Sequence, residues 1–167
     1  MIRAAQPDDV PTILALVREL ASYEREPDAV TATEADLMHA LFGPQPALFG
    51  LIAEHEAETA GFALWFLNFS TWLGRHGVYL EDLYVRPDLR GHGYGRALLV
   101  ELASIADARG YGRMEWSVLN WNETAHGFYA SLGAVPMHEW TTWRLTGAAL
   151  ASLAERSSVK PYADGRE

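Results

Sequence analysis

The stretch Arg90-Gly91-His92-Gly93-Tyr94-Gly95-Arg96 constrains this chain more than any other part of it. Three glycines in five positions leave the main-chain amides sterically open. The loop follows an extended apolar run that ends at Val85. It leads into a helical repeat with Tyr94, Leu98, Leu102 and Ile105 on one face. A glycine turn between strand and helix aims the unsatisfied N–H groups of the helix start, and the positive end of its dipole, at whatever the turn encloses. Arg90 and Arg96 flank the turn and add charge-assisted donors. The natural ligand is an anion bearing phosphate.

Two familiar phosphate loops do not fit. A dinucleotide fingerprint needs a glycine three residues after Gly93, where this chain has Arg96. A Walker loop needs Gly-Lys-Ser/Thr, and the segment has no lysine. Taken alone, such a turn is more often structural than ligand-holding, so its neighbours must decide.

Those neighbours form an alternation of strands and helices. Ile2 to Ala4 reads as a short strand. Asp8 or Asp9 caps a helix whose stripe is Val10, Ile13, Leu14, Val17, Leu20 and Ala21. A second helix starts near Thr33 and stops at Gly43-Pro44. Leu48 to Glu54, Gly61 to Phe69 and Gly77 to Val85 read as strands, as does Arg113 to Leu119. Asn122 caps a helix that passes Tyr129 and stops at Gly133. One or two last strands are expected over Val135 to Leu145, then a short helix from Thr146. The pattern predicts an α/β (α+β) fold, a mixed sheet with helices on both faces. A chain of 167 residues accommodates this as a single domain over 1–157, with a frayed polar tail at 158–167.

Composition removes several function classes. There is no cysteine, so disulfides, thiolate metal sites and a cysteine nucleophile are excluded. The six histidines show no metal-ligand spacing, and neither His-Glu-x-x-His nor Gly-x-Ser-x-Gly occurs. No metal is expected. A net charge of -9 opposes binding to nucleic acid and is compatible with a cationic substrate. No apolar run of about 18 residues occurs, so no membrane partner is expected. The first residues turn acidic at once, unlike a signal peptide, and the expected location is cytoplasmic.

Read as Val85-x-x-x-x-Arg90-Gly91-x-Gly93-x-Gly95, the glycine segment resembles the acyl-CoA pyrophosphate loop of the GNAT superfamily of N-acetyltransferases. Further segments resemble the diamine (spermidine/spermine) N-acetyltransferase family and its thialysine-acetylating relatives. These are Glu19-Leu20-Ala21-x-Tyr23-Glu24, Trp72-x-Gly74, Tyr79-Leu80-Glu81-Asp82-Leu83-Tyr84-Val85, Trp121-Asn122-Glu123, Phe128-Tyr129, Gly133-Ala134 and Trp143-Arg144. The resemblance covers Ile2 to about Leu153. It implies a mixed, mostly antiparallel central sheet, acetyl-CoA as acetyl donor, a small primary-amine substrate and a homodimer.

Carried over by position, the resemblance assigns coenzyme contacts to Leu83, Tyr84 and Val85, to Arg90, Gly91, His92, Gly93, Tyr94, Gly95 and Arg96, and to Asn122, Glu123, Thr124 and Ala125. It assigns substrate contacts to Tyr23, Glu24, Glu81, Asp82, Glu115, Trp116 and Ser117. Tyr129 becomes the proton donor to the leaving thiolate, and Glu81 the acceptor of the amine's proton, directly or through water. The Val85 N–H becomes an oxyanion donor. Asp82 points away from Glu81 on a regular strand, but not beside a bulge. One position departs from the polyamine enzymes: Thr141 stands where they carry a carboxylate before the Trp-Arg pair, with Glu139 two residues earlier. That favours a shorter amine or an amino-acid side chain. Two alternatives stay open: an acetyltransferase for peptide N-termini or amine-bearing antibiotics, and a non-catalytic acyl-CoA-binding regulator.

Overall fold

The computed structural model describes residues 1–158, so the expected frayed tail lies, apart from Ser158, outside the described residues. The chain falls into two compact units, Met1–Asn122 and the remainder from Glu123.

The first unit is built on a five-stranded sheet in the order β1-β2-β3-β4-β5. Its strands are β1 (Ile2–Ala4), β2 (Phe49–His55), β3 (Glu58–Ser70), β4 (Arg75–Val85) and β5 (Met114–Trp116). The first four pair antiparallel and β5 pairs parallel to β4. Three helices complete the unit: α1 (Val10–Tyr23), α2 (Glu34–Phe42) and α3 (Tyr94–Ala108). The parallel β4–β5 pair requires a long crossover, and α3 supplies it.

Each helix follows from its sequence. In α1, Val10, Ile13, Leu14 and Ala21 of the expected stripe are buried and Val17 and Leu20 half-buried, while Leu16, outside that stripe, is fully buried as well. Asp9 does not cap α1 with its side chain; its carboxylate instead takes Arg3, at 2.6 and 2.8 Å, and the Gln6 N–H. The Arg3 guanidinium, helped by the Gln6 N–H, holds that carboxyl below its ordinary range. Thr33 caps α2 in a capping box with Asp36, the Thr33 hydroxyl accepting from the Asp36 N–H.

Alternation along the strands divides the core. Ile52, Phe62, Leu64 and Tyr84 pack with Val10, Ile13 and Leu16 of α1 and Leu41 of α2. Leu51 and Trp65, on the other face, line a cleft with Ile105 of α3 and Arg109 just after it. Helices therefore cover both faces. Burial of side chains such as Phe62, Ile13 and Leu98 stabilises the unit by roughly 1.5–3 kcal/mol each.

The second unit contains α4 (Glu123–Ser131) and α5 (Gly147–Ala154), the latter starting after Thr146 as the sequence indicates. The strand or strands expected over Val135 to Leu145 do not form. The segment is apolar, with Val135, Met137, Trp140 and Trp143 exposed, but a strand needs a partner for its backbone, and none pairs with it among the described residues. The strand expected over Arg113 to Leu119 is shorter than its apolar run, spanning Met114–Trp116.

Candidate active site

The sheet opens where the glycine loop leaves it. Pairing of β4 with β5 ends at Leu80↔Trp116, whereas pairing of β4 with β3 continues to Val85↔Gly61. Glu81 to Val85 is therefore bonded along one edge only. Arg86 N–H donates to the Ala60 carbonyl (2.9 Å), so by strand alternation the N–H and C=O of Val85 face away from β3. The C=O accepts from Arg90 Nε at 3.0 Å, and the N–H is presented to the open edge.

Gly61 makes this approach possible. A Cβ there would strike the Tyr84 carbonyl and press on Val85 Cα at 3.0 Å. Sequence reading placed Gly61 inside a strand without a role. A glycine interior to an apolar strand is the signal that marks close backbone approach.

The second feature is a bulge. Leu64 opposes Asp82 and Trp65 opposes Leu80, so Glu81 has no partner on β3. The extra residue reverses the alternation: Asp82 joins Leu64 and Tyr84 on the α1 face, while Leu80 joins Trp65 on the other. Glu81 is exposed and Asp82 half-buried. Burial, reinforced by the nearby charges of Glu81 and Glu24, pushes the Asp82 carboxyl up to about 6. Burial also raises Glu24, at the end of α1. The fold thus brings together three carboxylates that the sequence separates by 58 positions.

After Val85, a single turn of 3-10 helix at Pro87–Leu89 leads into the loop. Gly91 and Gly93 are left-handed, with φ of 80° and 86°, and Gly93 is the N-cap of α3. No atom lies within 4 Å of where a Cβ would stand on either glycine, so the loop is an open cradle of amides. Such a cradle fits a diphosphate. Arg96 is exposed on the first turn of α3. Arg90 turns differently from expectation: besides bonding Val85, its guanidinium lies 4.7 Å over the Tyr23 ring and 5.5 Å over that of Tyr84. It braces the loop against α1.

The remaining residues fall into four groups. Tyr84 is buried, its hydroxyl donating to Glu19 (3.2 Å), and by the same alternation its backbone N–H and C=O face β3, so the expected coenzyme contact at Tyr84 does not reach the open edge. Tyr23, with one face under Arg90, donates to Asn122 (3.2 Å), and Arg25 sits 4.3 Å over Trp121. On β5, the Glu115 carboxylate is engaged by Arg113 (2.9 Å) and Asn68 (2.7 Å), while Ser117 pairs with the Tyr79 hydroxyl (3.0 Å). Trp116 is half-buried at the last paired position. Glu123, Thr124, Ala125 and Tyr129 lie on α4, in the second unit. No group of three metal-binding side chains occurs among the described residues, and no described helix is long and apolar enough to cross a membrane.

Comparison with known proteins identifies the family. Residues 13–134 match the model of the acetyltransferase (GNAT) family. The chain is 37% identical over 165 residues to thialysine N-epsilon-acetyltransferase of Bos taurus, covering 92% of this chain and 96% of that one. It is 32% identical to an L-ornithine N5-acetyltransferase of Arabidopsis thaliana, over 91% of this chain and 86% of that one. Among solved structures, an integron cassette protein from the mobile metagenome of V. cholerae superposes with a TM-score of 0.78 at 28% identity, over 93% and 97% of the two chains. The chain belongs to the GNAT acetyltransferase family and is an N-acetyltransferase.

Proposed function

We propose that this enzyme uses acetyl-CoA to acetylate the primary amine of a small amino-acid-like substrate, a side-chain amine of the thialysine or ornithine type. The observation that carries the reading is the bulge, which sets Glu81 and Asp82 at the open edge of β4, beside Val85 and one turn from the glycine cradle. Three carboxylates favour a cationic substrate, and Thr141, in place of a carboxylate, favours one shorter than a polyamine.

The cradle from Arg90 to Arg96 and the first turn of α3 would hold the diphosphate. Acetyl-CoA, when bound, supplies an acetyl group as a thioester. An aliphatic amine has a pKa of about 10 and arrives protonated. Glu24 and Glu81 receive the ammonium, and the Glu81–Asp82 pair takes its proton. Asp82, pushed up to about 6, is ionised at neutral pH and able to accept that proton. The Val85 N–H donates to the carbonyl oxygen as negative charge builds there. A C–N bond forms as the C–S bond breaks; the Tyr129 hydroxyl gives its proton to the departing sulfur and is restored, through water, by the second proton that the nitrogen releases on becoming an amide. Direct attack in a ternary complex requires no covalent enzyme intermediate.

We further propose that the two units act as one domain over 1–157, since the family match crosses from one into the other. The exposed Trp140 and Trp143 support a homodimer. Net negative charge opposes a nucleic-acid partner, and a cytoplasmic location is proposed from the acidic first residues, which do not resemble a signal peptide. Thiol release from acetyl-CoA, measured with thialysine, ornithine, lysine, putrescine, spermidine and an aminoglycoside, tests the substrate. The amino acids should give the highest kcat/KM. Spermidine outrunning them would overturn the short-amine reading, and coenzyme binding without turnover on any amine would indicate a regulator.

A further inference from the structure

We propose that His55, at the end of β2, is a positioning residue for the coenzyme: its hydrogen bond to Tyr94 fixes the first turn of α3, and with it the open amides of the glycine cradle. The proposal rests on the reading of that cradle as the diphosphate site, and it adds a residue that no loop motif contains.

His55 Nδ1 lies 2.6 Å from the Tyr94 hydroxyl, across 39 positions of sequence. The two rings meet edge-on at 5.9 Å and 70°, and both residues are half-buried. Tyr94 also stacks at 6.4 Å with His92, which lies 6.3 Å from His55 and whose Nδ1–H donates to the Arg90 carbonyl at 3.1 Å. The two imidazoles and the phenol therefore form one three-ring cluster, and His92 ties it to the loop itself.

Such a brace has a physical reason. Most helices are fixed at their start by an N-cap side chain bonded to a first-turn N–H. The N-cap of α3 is Gly93, which has no side chain, at φ 86°. A conventional cap would occupy the amides that an anion needs; a glycine cap leaves them open but leaves the helix start unanchored. Tyr94 is the first residue of α3, and its phenol reaches out to His55 without touching those amides. The loop is held from the side.

The hairpin that carries His55 is itself constrained. Glu56 and Ala57 connect β2 to β3 with φ of 48° and 70°, left-handed values at two residues that are not glycine. That turn closes the tightest kind of hairpin and pairs His55 with Glu58, fixing where the imidazole emerges. Non-glycine residues hold such backbone only where the surroundings over-determine it, and these places concentrate near functional sites.

The test is calorimetric binding of acetyl-CoA to the full-length protein, in the wild type, His55→Ala, Tyr94→Phe and the double variant. Each single change should raise Kd about three- to ten-fold, the scale of one part-buried hydrogen bond. The double variant should bind no more weakly than the worse single one, because both changes remove the same bond. In turnover assays His55→Ala should raise KM for acetyl-CoA while leaving KM for the amine unchanged and kcat within about two-fold. His55→Gln, which can still reach the phenol, should recover part of the loss. Should His55→Ala unfold, Tyr94→Phe removes a single oxygen and carries the test alone. Wild-type affinity in the variants, or losses that multiply in the double variant, would overturn the proposal. A wild-type protein that does not bind acetyl-CoA would overturn the reading of the cradle instead.

Discussion

The last five residues of β4 and the loop that follows meet at Val85 but work by opposite means. The bulge at Glu81–Asp82 acts through side chains: carboxylates, a displaced pKa, a reversal of face. The cradle at Gly91–Gly95 acts through its backbone, and its glycines matter for the atoms they lack. A charge-based site must be damaged by changes that keep shape and alter ionisation. A backbone-based site must be damaged by changes that keep charge and add volume. Val85 belongs to the second kind, since the oxyanion donor proposed there is its N–H.

Substitutions that respect this distinction would break it or sharpen it. The largest effect is expected at the bulge. Asp82→Asn keeps the shape and removes the base, and should lower kcat about a thousand-fold while leaving the Kd for acetyl-CoA nearly unchanged. In the wild type, kcat/KM should rise with pH through about 6, as Asp82 ionises, and the variant should lose that limb. Stability runs the other way. The folded pKa lies above the unfolded one, so the native state binds the extra proton between about pH 4 and 6, and stability falls as pH rises through that window. Asp82→Asn should therefore be the more thermostable protein at pH 7, by up to about 3 kcal/mol. A variant that is inactive and also less stable would contradict the electrostatic account.

Tyr129→Phe should lower kcat about a hundred-fold, again with little change in coenzyme affinity. Unchanged turnover in a stopped-flow or steady-state assay would remove Tyr129 as the acid. Gly61→Val alters no charge, yet it forces the Tyr84–Val85 backbone away from β3 and should cost roughly ten-fold or more in kcat, together with a lower Tm. If its kcat matched the wild type, the Val85 N–H would not be an oxyanion donor. The smallest effect belongs to the cradle. Gly93→Val strains a left-handed position and should weaken acetyl-CoA binding about ten-fold, leaving kcat at saturation near the wild-type value. A drop in kcat larger than that in affinity would mean that cradle and bulge do not act separately.

The cradle was legible in sequence because its physics is local. Glycines in succession between an apolar run and a helical stripe dictate open amides at a helix start wherever the strand ends up. The same holds for the α1 stripe and for Thr33 and Asp36 at the start of α2. What sequence could not supply was register. Glu81 and Asp82 are adjacent letters, and only the pairing of β4 with β3 sets one outside the ladder and the other against α1. The brace of His55 on Tyr94, the turn of Arg90 onto Tyr23 and the contact of Gly61 with Tyr84 are likewise invisible along the chain. The apolar run at Val135–Leu145 shows the same limit: its composition favours a strand, but a strand exists only where another backbone completes its hydrogen bonds. Sequence determined the loop, the helices and the family, because those rest on neighbours a few residues apart. Tertiary structure decided which carboxylate is buried and which backbone group is exposed, because those depend on pairing between segments distant in the chain.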